Sequence, residues 1–173
     1  QFYDVTQLSL PTQLPELHLV EPSHAATWIR EVVKFESPVH FEDAAQRIMA
    51  AVNVMRLGGR IRANLWKAAN VAMNRGWIAI EGDFLIDPDQ KETPVRDRSQ
   101  LPQQHRKMDL VSDRELLKAI SIVASDSVGA PIDDVAQQAW RLLGFARTST
   151  PMKDRALKLV HANAGSEILV KDG

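Results

Sequence analysis

The chain has 173 residues, 45% of them apolar and 25% charged, and a formal net charge of −1, the make-up of an ordinary globular protein of one domain or two small ones. It contains no cysteine, which excludes disulfides and every thiolate-based metal or redox site. No apolar run approaches the roughly 18 residues needed to cross a bilayer, and no basic-then-apolar leader opens the sequence, so a cytoplasmic protein without membrane contact is expected.

Because the sequence begins at Gln1 rather than Met, it is expected to be a piece of something longer. Residues 1–22 read as an extended N-terminal arm: Pro11, Pro15 and Pro22 break any helix, while Leu8, Leu10, Leu14, Leu17, Leu19 and Val20 suit a segment lying along a surface. Ser23 is the expected N-cap of a first helix running to about Lys34, with Ala26, Ile29 and Val33 at helical spacing. Pro38 pushes Ser37 out of helical geometry and ends it. A second helix is expected from Phe41 to Asn53, with Glu42 and Asp43 in the first turn where they complement the helix dipole. After the turn Leu57-Gly58-Gly59 a third helix runs from Arg60 to Asn74, and Trp77–Ile80, Glu81-Gly82-Asp83 and Phe84–Ile86 have the alternation and turn residues of a β-hairpin.

From Asp87 to Leu110 the composition turns to Pro, Gln, Asp, Lys and Arg, which reads as a linker at 87–110 with at most a short strand at Pro94-Val95-Arg96. The order then starts again. A helix is expected over Ser112–Ala124, capped by Ser112 or Asp113, another over Asp133–Leu143, and a third opened by Thr150 as N-cap with Pro151 at N1. A strand is expected over Glu167–Lys171 before the chain stops at Asp172-Gly173.

The recurrence is written in the residues. Phe41–Gly82 lies over Ile132–Gly173 without a gap, and in those 42 pairs Asp43/Asp134, Ala45/Ala136, Gln46/Gln137, Arg56/Arg147, Lys67/Lys158 and Gly82/Gly173 are identical. Elsewhere apolar lies over apolar and charge over like charge, as in Ala69/Val160, Ile78/Leu169 and Glu81/Asp172. Three helices followed by a hairpin is the order of a winged helix. The fold expected is therefore mainly α with small β-hairpins (α+β), in two tandem winged-helix units at 23–86 and 111–173, the second with an incomplete wing.

Glu36-Ser37-Pro38-Val39-His40, Arg60-Ile61-Arg62, Gly82-Asp83-Phe84-Leu85, Pro94–Ser99 and Leu142–Arg147 together resemble a domain of unknown function. That domain lies at the C-terminus of large bacterial superfamily 1 helicase-like proteins, after a Vsr-like, restriction-endonuclease-type nuclease domain. The resemblance covers most of residues 23–163. It implies the tail of a helicase–nuclease protein that processes DNA or defends against foreign DNA, with the helicase and nuclease domains of the parent chain as partners, and it supplies no catalytic residue.

The third helix of each copy carries the best functional signal. Ile61, Leu65, Ala68, Ala69 and Ala72 gather on one face, and Arg60, Asn64, Lys67 and Asn74 on the other. Between Val54 and Ile80 there are five bases (Arg56, Arg60, Arg62, Lys67, Arg75) and no acid, in a chain with more acids than bases. In the second copy Met152, Ala156, Leu159 and Val160 form the apolar face, and Arg155 and Lys158 occupy the places of Asn64 and Lys67, with Arg147 and Lys153 beside them and Asp154 intruding. In a helix-turn-helix this face enters the major groove, flanking Arg and Lys hold phosphates, and an Asn can read an adenine edge. A basic face that merely keeps a helix soluble is the plain alternative for either helix alone; recurrence at matching positions favours nucleic acid.

Other chemistry has little support. His18, His24, His40, His105 and His161 are scattered with no i,i+4 pair, Gly58-Gly59-Arg60 lacks the lysine and serine of a phosphate-binding loop, and Asp83, Asp87, Asp89 and Lys91 match no nuclease spacing. Trp28, Trp66, Trp77 and Trp140 fall at apolar-periodic or strand positions and read as packing residues. No cofactor, no small-molecule substrate and no catalysis are expected. The sequence reading is a non-catalytic accessory module that positions duplex DNA; the alternative is a winged-helix module that docks on protein.

Overall fold

Proline and glycine set most of the element boundaries in the computed structural model, which describes residues 1–127 and 129–163. The order is α1 (Pro22–Glu36), β1 (Val39–His40), α2 (Phe41–Ala51), α3 (Gly59–Asn74), β2 (Ala79–Glu81), β3 (Phe84–Ile86), α4 (Asp113–Asp126), α5 (Ile132–Leu142) and α6 (Thr150–Ala162), with short 3-10 turns at Gln103–His105 and Met108–Leu110. The described chain is mainly helical with one three-stranded antiparallel sheet, an α+β arrangement. It divides into two compact units, Asp4–Lys91 and Gln1–Tyr3 with the residues from Glu92 onward.

In the first unit α1 packs on α3 and α2. Pro22 opens α1 at its first position, where the missing N–H costs nothing; the cap is therefore Glu21 and not Ser23. The core gathers Ile29, Val32, Val33, Ile48, Met49, Leu65, Ala68 and Ala69, all out of contact with solvent. Phe41 of α2 stacks on Trp66 of α3 with ring centres 4.1 Å apart. The sheet order is β1-β3-β2, with Val39 opposite Leu85 and Ile80 opposite Leu85 on the other edge. Gly82 sits at the first central position of the β2–β3 turn with φ 58°, where a two-residue hairpin turn needs glycine. β1, two residues after α1, was not foreseen.

The second unit packs α4, α5 and α6 around Leu116, Ile120, Ala139, Trp140, Leu143 and Ala156. Trp140 is fully buried, and its indole nitrogen donates to the Met152 carbonyl at 2.8 Å. Ser112 caps α4, its hydroxyl accepting from the Glu115 N–H. α6 starts one residue earlier than read, with Ser149 as its cap. The strand expected at Glu167–Lys171 and the incomplete second wing lie outside the described residues.

The recurrence holds in the backbone. α4, α5 and α6 begin at Asp113, Ile132 and Thr150, each 91 residues after the starts of α1, α2 and α3 at Pro22, Phe41 and Gly59. The turn hydrogen bond from Val54 N–H to Met49 O reappears as Phe145 N–H to Trp140 O, and that from Leu19 to Glu16 as Leu110 to Lys107. Asn53 and Gly144, likewise paired, both take positive φ, 56° and 89°. Only Gly144 requires glycine for space as well, because a Cβ there would come within 2.5 Å of the backbone nitrogens of Arg98 and Ser99.

Two expected boundaries shift. Gln1–Tyr3 is not part of an arm on the first unit: Tyr3 N–H donates to Asp97 O and Asp97 N–H to Gln1 O, both at 2.8 Å, in a short parallel bridge. Residues 92–110 are not a free linker either. Arg96 and Arg98 are buried, and both clamp the buried carboxylate of Glu115 on α4, Arg98 Nη2 at 2.7 Å and Arg96 Nη2 at 2.9 Å from Oε2. The ring of Tyr3 lies under both guanidiniums, 4.3 and 4.9 Å away. Composition reads this stretch as a linker; pairing with one distant carboxylate is what makes the burial of its two arginines affordable. The first unit has a smaller counterpart, Glu36 with Arg47 at 3.0 Å, whose Oε1 also accepts from the Thr6 N–H.

Candidate nucleic-acid interface

α3 is built to present one face. Its buried side is Leu65, Ala68, Ala69 and Ala72, three of them alanines that let α1 approach closely. The opposite, exposed line is Arg60, Ala63, Lys67, Asn70 and Asn74, whose alternating steps of three and four residues keep to a single helical stripe. Arg56 in the preceding turn and Arg75 at the helix end are exposed as well. Ala63 and Asn70 had no place in the sequence reading although the same periodicity contains them. The Asn70 amide donates to the Trp66 carbonyl at 2.9 Å. Gly58 and Gly59 open the helix, and a Cβ on either would meet nothing within 4 Å.

The predicted residues of the first unit divide into four groups. Arg56, Arg60 and Lys67 are exposed and make no ion pair among the described residues. Arg62 is about half exposed and spends its charge locally, its Nη2 lying 2.6 Å from Oε1 of Glu42 on α2. Asn74 is exposed at the end of the stripe, and Arg75 lies over the Trp77 ring, 4.8 Å from its centre, with a long 3.4 Å bond to the Ser23 carbonyl.

Asn64 is not an exposed reader. It is only 8% exposed, and its amide donates to the carbonyls of Leu17 and Val20 at 2.9 and 2.8 Å. A rotation of only about 40° separates it from Arg60, but the turn before α1 folds over that flank, which helical periodicity alone does not reveal. Arg155, its counterpart in α6, is corrected in the same way. Its guanidinium donates to the carbonyls of Met108 and Val111, each at 2.6 Å, and pairs with Asp113 at 2.6 Å. Met108 and Val111 stand 91 residues after Leu17 and Val20, so one device, a side chain of the third helix pinning two carbonyls ahead of the first, occurs in both units. Replacing Asn64 by Ala leaves both carbonyls without their donor and is expected to cost about 1–3 kcal/mol, read as a lower thermal midpoint of the first unit; a midpoint equal to wild type would remove this role.

In α6 the exposed line equivalent to Arg60, Ala63, Lys67 and Asn70 is Pro151, Asp154, Lys158 and His161. Lys158 and Arg147 are exposed and Lys153 is half-buried. The second unit therefore offers a weaker positive face, interrupted by Asp154.

Among the described residues no group of three or more histidine or carboxylate side chains comes together to hold a metal ion, and no helix is long and apolar enough to cross a membrane. A protein family of unknown function, DUF3320, matches residues 16–63, the stretch from the turn before α1 to the first turn of α3. No curated protein and no solved structure matches the chain.

Proposed function

We propose that the chain is a non-catalytic nucleic-acid-binding module that holds duplex DNA against α3, and that its two units are tandem winged helices. The observation that carries the first part is the open stripe Arg60–Lys67, with Arg56 and Arg75 at its ends, inside 27 residues (Val54 to Ile80) that contain no acid. The winged-helix reading draws support from the order α1-β1-α2-α3-β2-β3 with the sheet order β1-β3-β2, in which a short strand between the first two helices joins the hairpin as its third member. A place beside helicase and nuclease domains is supported by the resemblance of its motifs alone, and a cytoplasmic location by the lack, among the described residues, of a helix long and apolar enough to cross a membrane.

Arg and Lys on such a stripe neutralise phosphates and release counterions, so binding is weakly sequence-specific and falls with salt. Fluorescence anisotropy with a short labelled duplex and the matching single strand, at two salt concentrations, tests this. The expected result is micromolar-range affinity for duplex, weaker for the single strand, and a clear loss at higher salt. No binding at low salt would end the proposal.

A second reading, docking on protein, has two observations in its favour. Met55 in the α2–α3 turn is 92% exposed next to Arg56, and the hairpin tip is acidic, with Glu81 and Asp83 exposed. An acidic tip repels a phosphate backbone, so in the DNA reading α3 and not the hairpin makes the contact.

A further inference from the structure

Trp77 follows α3 and precedes β2, and two guanidiniums lie on its ring: Arg75 from the end of α3 at 4.8 Å and Arg30 from the middle of α1 at 4.9 Å from the ring centre. Both arginines are exposed, the indole is half-buried, and neither arginine makes an ion pair among the described residues. The two charges can be no farther apart than the sum of those distances, which is about one Debye length at 0.1 M salt, so they repel each other. Elsewhere in this molecule arginines gathered on one aromatic ring are neutralised: Arg96 and Arg98, both over Tyr3, share Glu115. The pair on Trp77 has the ring without the carboxylate. Arg75 alone has a local explanation, since a cation at a helix C-terminus complements the dipole. Arg30, in mid-helix, has none.

We infer that Arg30, Arg75 and Trp77 form a second phosphate-binding point for the phosphodiester backbone of duplex DNA, at the opposite end of α3 from Arg56 and Arg60. This rests on the proposed binding of duplex by α3. The planar fork of each guanidinium suits a phosphate, and the indole holds both forks against one ring in advance. The geometry of the duplex fits. A 16-residue helix is about 24 Å long, while the major groove is about 12 Å wide. A helix lying across that groove carries its two ends over the phosphates on either side. Arg56 and Arg60 would meet one strand and the pair on Trp77 the other.

The test uses the full chain, a short labelled duplex, and the double substitution Arg30→Gln with Arg75→Gln, which keeps a polar, hydrogen-bonding side chain but removes both charges. Losing two phosphate contacts should lower the slope of log K against log salt by about 1.8. Over a rise from about 50 to 200 mM salt the wild type then loses roughly tenfold more affinity than the variant. Arg30→Lys with Arg75→Lys should keep most of the slope. In the unsubstituted protein the Trp77 indole N–H resonance, assigned by Trp77→Phe, should shift on titration with the duplex and not with inorganic phosphate at equal phosphate concentration.

An unchanged slope in the Gln variant, or an indole signal that does not move, overturns the inference while α3 binding stands. Equal weakening by the Gln and Lys pairs with no change of slope also overturns it, as the mark of a structural role. Absence of any binding by the wild type overturns both this and the reading it rests on.

Discussion

Replacing Glu115 by Ala is expected to destabilise the second unit by about 3–5 kcal/mol, because it strands two buried guanidiniums without their counter-charge. Glu115 is fully buried, and its two oxygens take bonds from the Arg96 backbone N–H (3.0 Å), the Arg96 side chain (3.1 and 2.9 Å) and the Arg98 side chain (3.1 and 2.7 Å). Arg98 also donates to the Arg96 carbonyl, so the carboxylate fixes the whole strap at 96–98 against α4. Marginal stability is on the order of 0.1 kcal/mol per residue, so a unit of this size would lose roughly half of its stability and unfold at a clearly lower denaturant midpoint. Trp140 is the only tryptophan in that unit, and its indole resonance reports the loss separately from the first unit. Replacing all three charged residues by Met or Leu should cost much less, since it removes the burial penalty together with the attraction. A denaturation midpoint for Glu115→Ala equal to wild type would show that the cluster is idle.

The same cluster sets an acid limit. Burial by itself would push the Glu115 carboxyl up, but the nearby Arg98 guanidinium and the hydrogen bonds and charge of Arg96 hold it below the usual carboxylate range. The folded unit thus binds this proton less readily than the unfolded chain. Its contribution to stability is complete above the ordinary glutamate value and is lost as pH falls through the lower, folded one. Glu115→Gln should flatten that acid limb.

How far the sequence carried the fold can be judged residue by residue. The starts of α2, α3 and α5 were legible within a residue or two, because glycine and proline mark them and apolar spacing fills them. The 91-residue recurrence was legible only over residues 41–82. Its extension to the turns before α1 and α4 rests on Asn64 and Arg155, chemically unlike side chains that donate to equivalent carbonyls. Like donors would have aligned; unlike ones hide the repeat. β1 is two residues long and takes its identity from its partner β3, which no local pattern supplies. The burial of Arg96 and Arg98 depends on a carboxylate 19 and 17 residues away, respectively, and composition cannot tell a paired arginine from a solvated one. The stripe of α3 was legible at its centre, where Arg60 and Lys67 stand clear. It was misread at its flank, where the turn before α1 covers Asn64.

The largest effect on binding is expected from reversing that centre. Arg60→Glu with Lys67→Glu changes the face by four charges and puts two carboxylates where phosphates would lie. Two lost contacts and two new repulsions should weaken duplex binding more than a hundredfold, enough to take a micromolar affinity out of range at physiological salt. The fold should not notice. Both residues are exposed and make no ion pair among the described residues, and surface substitutions of that kind usually stay within about 0.5 kcal/mol. Net charge alone could mimic the result, so the control reverses Arg106 and Lys107, both exposed in the second unit. If α3 is the contact, the control binds nearly as wild type while the α3 variant does not. Equal losses in the two variants would mean that duplex senses overall charge and no face in particular. Full affinity in the α3 variant would hand the open stripe, with Met55 at its edge, to a protein partner.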